Sequence, residues 1–343
     1  MKTPTYKIAV IGSGSWGTAV SLLFAQKDHE VRLWGRNRES CEEMKKTRKN
    51  KTFLPQALIP ESVLITSTIE EALDGIDILV NGIPTQFIRS ALQEHIQGKL
   101  SSSIPIVSLS KGIENDTMLR GSQIFREVLG TETLGVLSGP SHAEEVVQGM
   151  PTSIVMASRN LDFAQKIQEA LMQKHFRIYT NHDIVGVEVA GALKNVIALA
   201  AGMCDGLHFG VNSKSALLAR GLVEMMRFGM ALGGNPNTFS GLAGIGDLMT
   251  SAFSPYGRNR AVGEKIAQGY DLETILSKMD MVAEGVKTTK SVYALARIHE
   301  VEMPITFGIY QILYEKKPPK QALQELMSRA KRQEEESFEI FKS

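Results

Sequence analysis

A short apolar run, Lys7-Ile-Ala-Val-Ile11, passes directly into Gly12-Ser-Gly14-Ser-Trp-Gly17 and then into a helix-compatible stretch, Thr18 to Gln26. An apolar, partly β-branched run bounded by glycine reads as a buried strand. In the stretch that follows, Ala19, Leu22, Leu23 and Gln26 fall at helical spacing. Strand, G-x-G-x-x-G and helix, in that order, form the dinucleotide-binding fingerprint in its required context. Gly12 permits the tight turn, Gly14 lets backbone approach a pyrophosphate, and Gly17 lets helix and strand pack closely. The helix N-terminus then turns free N–H groups toward the phosphates. A glycine turn without a ligand is the alternative, and the flanking strand and helix argue against it.

The next strand is Glu30 to Trp34. At its end the fingerprint usually carries an Asp or Glu for the adenosine ribose, but here the chain reads Gly35-Arg36-Asn37-Arg38. Arg36 is suited to a 2′-phosphate through paired hydrogen bonds; a solvated basic turn is the equal alternative. Further β-rich runs are Ile76–Asn81, Ile104–Ser110, Leu134–Ser138, Thr152–Ala157 and Phe176–Thr180, with helical stretches at Gln86–His95 and about Leu161–Gln173. This alternation predicts an α/β domain with a mostly parallel sheet and helices on both faces. Ligands bind such sheets beyond the carboxyl ends of the strands. Pro84, Lys111 and Ser141 all follow strand ends, so their loops are expected to share one rim. Lys111 has no salt-bridge partner nearby in sequence, which makes a phosphate a reasonable one.

Asp183 to Met203 is long and apolar enough to suggest a membrane span, but Asp183, Glu188, Lys194 and Asn195 interrupt it. A charge in mid-span costs several kcal/mol, so a buried core helix is the better reading. Thr180 and Asp183 stand in capping-box spacing at its start. Ala190, Gly191, Ile197 and Ala198 share the face of Lys194. Desolvation among such neighbours lowers a lysine's pKa and lets it exchange protons near neutral pH. The alternative is a lysine at a helix edge that snorkels to water.

From there the pattern stays helical. Lys214 to Met230 is one helix, its methionines read as core filler. Glycines at 241, 244 and 246 precede Asp247 and imply close backbone packing or left-handed conformations. Asp247 is placed to orient a neighbour or accept a hydroxyl. Arg258 and Asn259 offer a planar fork and an amide suited to a phosphate, against the plainer reading of a surface loop with a capping Asp. A glycine-bounded loop, Met281-Val-Ala-Glu-Gly285, and a charged amphipathic helix after Pro318 complete the chain. At 343 residues it is long enough for two domains. A net charge of +1 gives no reason to expect nucleic-acid binding. Cys41 and Cys204, far apart and without metal or redox spacing, fit a reducing compartment. The histidines show no metal-ligand spacing either. With no signal-peptide core before the first strand, the expectation is a cytoplasmic enzyme without stable membrane insertion.

Together, Gly12-Ser-Gly-Ser-Trp-Gly17, Ser110-Lys-Gly112, Ser138-Gly-Pro-Ser-His-Ala143, Gly191-Ala-Leu-Lys-Asn-Val196, Gly241-Leu-Ala-Gly-Ile-Gly-Asp247, Arg258-Asn-Arg260 and Val282-Ala-Glu-Gly-Val286 resemble the bacterial NAD(P)-dependent sn-glycerol-3-phosphate dehydrogenases over essentially the whole chain. The resemblance implies a Rossmann-like domain over residues 1–182, an all-α substrate and dimerisation domain over 183–343, and an active site in the cleft between them. It also implies reduction of dihydroxyacetone phosphate to sn-glycerol 3-phosphate for phospholipid synthesis, and a homodimer. Lys194 matches the family's proton-transfer lysine. Lys111, Gly139, Ser141, Asp247, Arg258 and Asn259 match substrate-contacting positions. Ser15, Trp16, Arg36, Lys111, Ala143, Arg258, Val282 and Glu284 match cofactor-contacting positions, beside Gly12, Gly14 and Gly17 of the fingerprint. Two departures stand out: Gly257 replaces the usual serine before Arg258, and Pro84-Thr85 replaces the usual Pro-Ser. NAD and NADP are both expected to serve, with NADPH preferred because no acidic residue lies between Leu33 and Arg38. A dehydrogenase of similar build acting on a 3-hydroxy acid would need a carboxylate site instead of the Arg258–Asn259 clamp. A nucleotide sensor without turnover would need neither the buried lysine nor the clamp.

Overall fold

The computed structural model describes residues 4–279, 281–330 and 333–334. The far end of the charged C-terminal stretch lies outside them. Eight strands form one sheet: β1 (Lys7–Ile11), β2 (Glu30–Trp34), β3 (Val63–Thr66), β4 (Ile78–Asn81), β5 (Ile106–Ser108), β6 (Leu134–Ser138), β7 (Thr152–Ser158) and β8 (Phe176–Asn181). Their order is β3-β2-β1-β4-β5-β6-β7-β8. Every neighbouring pair is parallel except β6 and β7. Strands buried on both faces need apolar side chains throughout, and Ile8 to Ile11 are wholly buried. Because β1 lies between β2 and β4, the order reverses there, and the crevice beyond the ends of β1 and β4 is the switch point where such sheets take ligands.

The sequence reading finds seven of these strands and omits β3. That strand is a four-residue sheet edge with Leu64 facing out, too short to show a period. The Gln86–His95 helix is three pieces: a 3₁₀ turn Thr85–Phe87, an α-helical turn Ile88–Ala91 and a π-helical turn Leu92–Ile96.

Contacts divide the chain into two units, Met1–Ser110 with Arg120–Ile184, and Lys111–Leu119 with Val185–Ser343. A single boundary after residue 182 does not describe this division, because the segment that opens with Lys111 groups with the helices. In the second unit the main helices are Ile184–Gly206, Val211–Ala231, Asp247–Phe253, Arg258–Ala267, Glu284–Ile298, Pro304–Tyr314 and Pro319–Met327. The first has the length and apolarity of a membrane span, yet its whole most apolar window is buried inside the protein. No capping box opens it: Thr180 belongs to β8, and the Asn181 side chain accepts from the Asp183 N–H at 2.8 Å. Among the 241–246 glycines the close-packed alternative holds at Gly244. Leu242–Gly246 is a π-helical turn, and a Cβ on Gly244 would meet the Phe239 carbonyl oxygen at 2.0 Å.

Helix Pro304–Tyr314 is capped from another helix. Buried Glu224 accepts from the N–H groups of Ile305 (2.6 Å) and Thr306 (3.0 Å) and from the Thr306 hydroxyl (2.9 Å). Helix N-termini leave such N–H groups without an internal partner. Burial pushes the Glu224 carboxyl up to about 7 in spite of these three donors.

Candidate active site

In the first unit the glycine loop joins β1 to helix Ser15–Ala25. Gly12 has φ +105°, and a Cβ there would meet the Gly82 backbone at 2.8 Å; a Cβ on Gly17 would meet the Gly12 oxygen at 2.1 Å. Both positions therefore require glycine. Gly14 differs, since a Cβ on it would meet nothing within 4 Å. Gly14 stands at the N-cap, and no side chain bonds there. Open space beside Gly14, at a helix start whose first N–H groups lack internal partners, lets a pyrophosphate come close to the backbone. Ser15 is buried and Trp16 half-buried, with the indole against the Phe176 ring at 6.4 Å between centroids. Arg36 is exposed just beyond β2, followed by Asn37, whose side chain accepts from the Ser40 N–H to cap helix Arg38–Thr47.

The loops after β4, β5 and β6 start from adjacent parallel strands, so they share one edge of the sheet. Two of them are tied together: Asn81 Nδ2 donates to Ser110 Oγ at 2.7 Å, and Ser110 Oγ donates to the Ile83 carbonyl at 2.5 Å. After β6, Gly139 has φ +134°, the Ser141 hydroxyl donates back to the Gly139 carbonyl, and Ala143 opens a short helix.

The second unit holds the charged centre. Lys194 is only 8% exposed, which excludes the snorkelling alternative. Its Nζ donates to Ser251 Oγ at 2.6 Å and pairs with Asp247 Oδ1 at 3.1 Å. Lys111 Nζ reaches the other oxygen of Asp247 at 2.6 Å. Lys111 is thus paired with Asp247, 136 residues away in sequence. Desolvation lowers the Lys194 pKa to about 8, with Lys111 and Arg258 acting in the same direction and Asp247 opposing them. Burial works against the Asp247 carboxylate, but Lys111 and Lys194 hold it below the usual carboxylate range.

A chain of amides adjoins this centre. Asn195 Nδ2 donates to the Lys111 carbonyl at 3.1 Å, Asn259 Nδ2 donates to Asn195 Oδ1 at 2.9 Å, and the Gly285 N–H donates to Asn259 Oδ1 at 3.0 Å. Asn259 is therefore already engaged at both ends of its amide, a constraint the clamp reading does not anticipate. Exposed Arg258 donates to the Val282 carbonyl at 3.3 Å, two residues before Glu284. Of the residues singled out from sequence, Lys111, Lys194, Asp247, Arg258, Asn259, Val282 and Glu284 belong to the second unit, and Gly12 to Gly17, Arg36, Gly139, Ser141 and Ala143 to the first. Ser251 is absent from the sequence reading, and Asn195 enters it only as a polar interruption of the apolar run. Ser251 lies one helical turn after Asp247, a spacing that places both on one face, and Asn195 adjoins Lys194.

Two family descriptions match this chain: "NAD-dependent glycerol-3-phosphate dehydrogenase N-terminus" over residues 7–164, and the corresponding "C-terminus" over residues 183–324. The chain belongs to the NAD-dependent glycerol-3-phosphate dehydrogenase family. The glycerol-3-phosphate dehydrogenase (NAD(P)+) of Geobacillus thermodenitrificans is 48% identical over 330 residues, covering 95% of this chain and 96% of the relative. Enzyme 1 of that name from Salinibacter ruber is 46% identical over 330 residues, with the same two coverages. A crystal structure of glycerol-3-phosphate dehydrogenase from Coxiella burnetii superposes with a TM-score of 0.91 at 35% identity, over 95% of this chain and 99% of that one. This dehydrogenase is accordingly an oxidoreductase of the CH–OH class that uses NAD or NADP.

Proposed function

We propose that this enzyme reduces dihydroxyacetone phosphate to sn-glycerol 3-phosphate, with Lys194 as proton donor in that direction and proton acceptor in the reverse. The observation that carries the reading is the arrangement of ammonium groups around Asp247. Two ammonium groups, Lys111 and Lys194, share one buried carboxylate. An ammonium held in this way can stabilise the oxyanion that develops as a ketone is reduced.

The residues divide the work as follows. The loop of Gly12, Gly14, Ser15, Trp16 and Gly17 would hold the cofactor's pyrophosphate, with Arg36, Ala143, Val282 and Glu284 as further contacts. The nicotinamide, when bound, supplies the hydride. In the second unit Lys111, Arg258 and Asn259 are assigned to the phosphate of the substrate, and in the first unit Gly139 and Ser141 are assigned to substrate contacts. Lys194 has three N–H donors. Ser251 and Asp247 take two of them, and we assign the third to the ketone oxygen, which receives the proton as the C–H bond forms. A pKa near 8 suits both directions: the group is mostly protonated at neutral pH and gives up its proton readily.

The finer parts of the reading follow from particular features. NADPH is preferred, because Arg36 is exposed at the end of β2 where a carboxylate would repel a 2′-phosphate. A cytoplasmic setting agrees with two free, buried cysteines. The product feeds glycerophospholipid synthesis, and the enzyme acts as a homodimer.

The test is the loss of reduced-cofactor absorbance when dihydroxyacetone phosphate is added to the purified protein, repeated with Lys194→Met. Loss of the acid should lower turnover by on the order of 10²-fold or more, with cofactor binding nearly unchanged. Near-normal turnover would overturn the assignment. Loss of helical circular dichroism would make Lys194 a structural residue instead.

A further inference from the structure

Lys194 and Arg258 stand on different helices, Ile184–Gly206 and Arg258–Ala267, and these helices meet backbone to backbone. A Cβ on Gly202 would meet the Arg260 oxygen at 1.9 Å, one on Gly206 the Glu264 oxygen at 2.4 Å, and one on Gly263 the Leu199 oxygen at 2.0 Å. No side chain larger than hydrogen fits at these crossings. Gly202 and Gly206 are one turn apart and form a flat strip on the lysine helix.

Asp205 lies between those two glycines and gathers the surrounding cations. Its carboxylate accepts from Lys214 Nζ at 2.8 Å on each oxygen and from Arg260 Nη1 at 2.8 Å. Arg260 follows Arg258 and Asn259 in the first turn of its helix. Its guanidinium also reaches Glu264 at 3.2 Å and, through Nε, the Ser254 carbonyl at 3.2 Å. Lys214 in turn sits 4.6 Å from the ring centroid of Phe253, at the end of the helix that carries Asp247 and Ser251. One carboxylate therefore ties together the helices of Lys194, Lys214 and Arg258, and touches the end of the Asp247 helix through Lys214. Lys214 is buried, and Asp205 and Arg260 are largely shielded, so these bonds are less screened than surface ion pairs.

We propose that Asp205 is a positioning residue for phosphate recognition. Acting through Arg260, it fixes the first turn that carries Arg258 and Asn259 against the lysine helix, so that the phosphate clamp and the proton-transfer lysine keep one separation. This rests on the proposed roles of Arg258 and Lys194. A planar fork with three acceptors in fixed directions is what the task needs, and a lysine at position 260 would not reproduce it.

A shift of about 1 Å in a positioning group can cost on the order of 10²-fold, so even a partial relaxation should be measurable. Asp205→Asn is expected to raise KM for dihydroxyacetone phosphate by roughly 10-fold. KM for unphosphorylated dihydroxyacetone should stay within about twofold, and the Kd of the reduced cofactor should rise less than KM for dihydroxyacetone phosphate. In an Arg258→Leu background the same substitution should add nothing, because its effect travels through the clamp. Equal losses for both ketones, or effects that multiply in the double variant, would overturn the positioning role. If Asp205→Asn lowers Tm so far that it cannot be assayed, Arg260→Lys, which keeps the charge, takes its place in the same cycle. Wild-type KM in Arg260→Lys would equally overturn the proposal. Arg258→Leu weakening both ketones alike would instead remove the clamp reading, and this inference with it.

Discussion

Replacing Asp247 by Asn should move the pH dependence of catalysis downward. Asp247 is the group that supports the Lys194 charge, at 3.1 Å, against burial, Lys111 and Arg258. Two unit charges at that distance interact by about 1.3 kcal/mol in a water-like dielectric and by about 5 kcal/mol at an effective dielectric of about 20. At about 1.4 kcal/mol per pH unit, the loss corresponds to at least about one unit. Asn is nearly the same size and keeps one oxygen, but its NH₂ group turns a donor toward one of the two lysines. The sign follows from the chemistry. Ketone reduction needs Lys194 protonated, so kcat/KM falls as pH rises through the lysine pKa. That alkaline limb should lie near 8 in the wild type and near or below about 7 in Asp247→Asn. For oxidation of glycerol 3-phosphate the same group must be neutral, so the rising limb should move down by the same amount. The assay is kcat/KM against pH in both directions, with circular dichroism to confirm the fold. An unmoved limb would mean that Lys194 is not the titrating acid, and an upward move would mean that Asp247 does not support its charge.

Three further outcomes are expected. Arg258→Leu should raise KM for dihydroxyacetone phosphate far more than for dihydroxyacetone, since each charge-assisted hydrogen bond to phosphate contributes about 1.5–3 kcal/mol; cofactor Kd measured alongside separates its two assigned contacts. Arg36→Ala should erode NADPH use by roughly 5- to 150-fold in kcat/KM while sparing NADH, with the wild-type preference weakening as salt rises because Arg36 is exposed; equal loss with both cofactors would remove the 2′-phosphate role. Glu224, raised from 4.5 to about 7 in the folded state, holds a proton there that the unfolded chain releases, so its stabilising effect is full below about pH 4.5 and is lost as pH rises through about 7. Glu224→Gln should abolish that slope, worth about 3 kcal/mol across the window, in chemical denaturation at several pH values; an unchanged slope would mean that the three donors keep the carboxylate ionised.

Much of this protein is written locally. The strand–glycine–helix order at residues 7–26 implies the nucleotide loop, because Gly12 and Gly17 are needed for backbone sterics that no distant contact changes. The unbroken apolar runs imply buried parallel strands for the same kind of reason, and the run around Lys194 implies a core helix with a depressed lysine. The matched family agrees with those readings at the level of fold, reaction class and cofactor type. Edge strand β3 and the π-helical turns escape, since four or five residues carry no usable period. What no local pattern contains is pairing between charges far apart in the chain. Lys111 meets Asp247 across 136 residues, and Ser291 donates to the backbone of Ile113 and Glu114 across 178 and 177, which draws the Lys111 segment into the helical unit. The residue types alone determined that lysines, an aspartate, an arginine and an amide would be available for phosphate and proton chemistry. Only the tertiary structure decided that two of those lysines share one carboxylate, because the desolvation and Coulomb energies that set the protonation of Lys194 depend on distances and burial that exist only once the helices have packed.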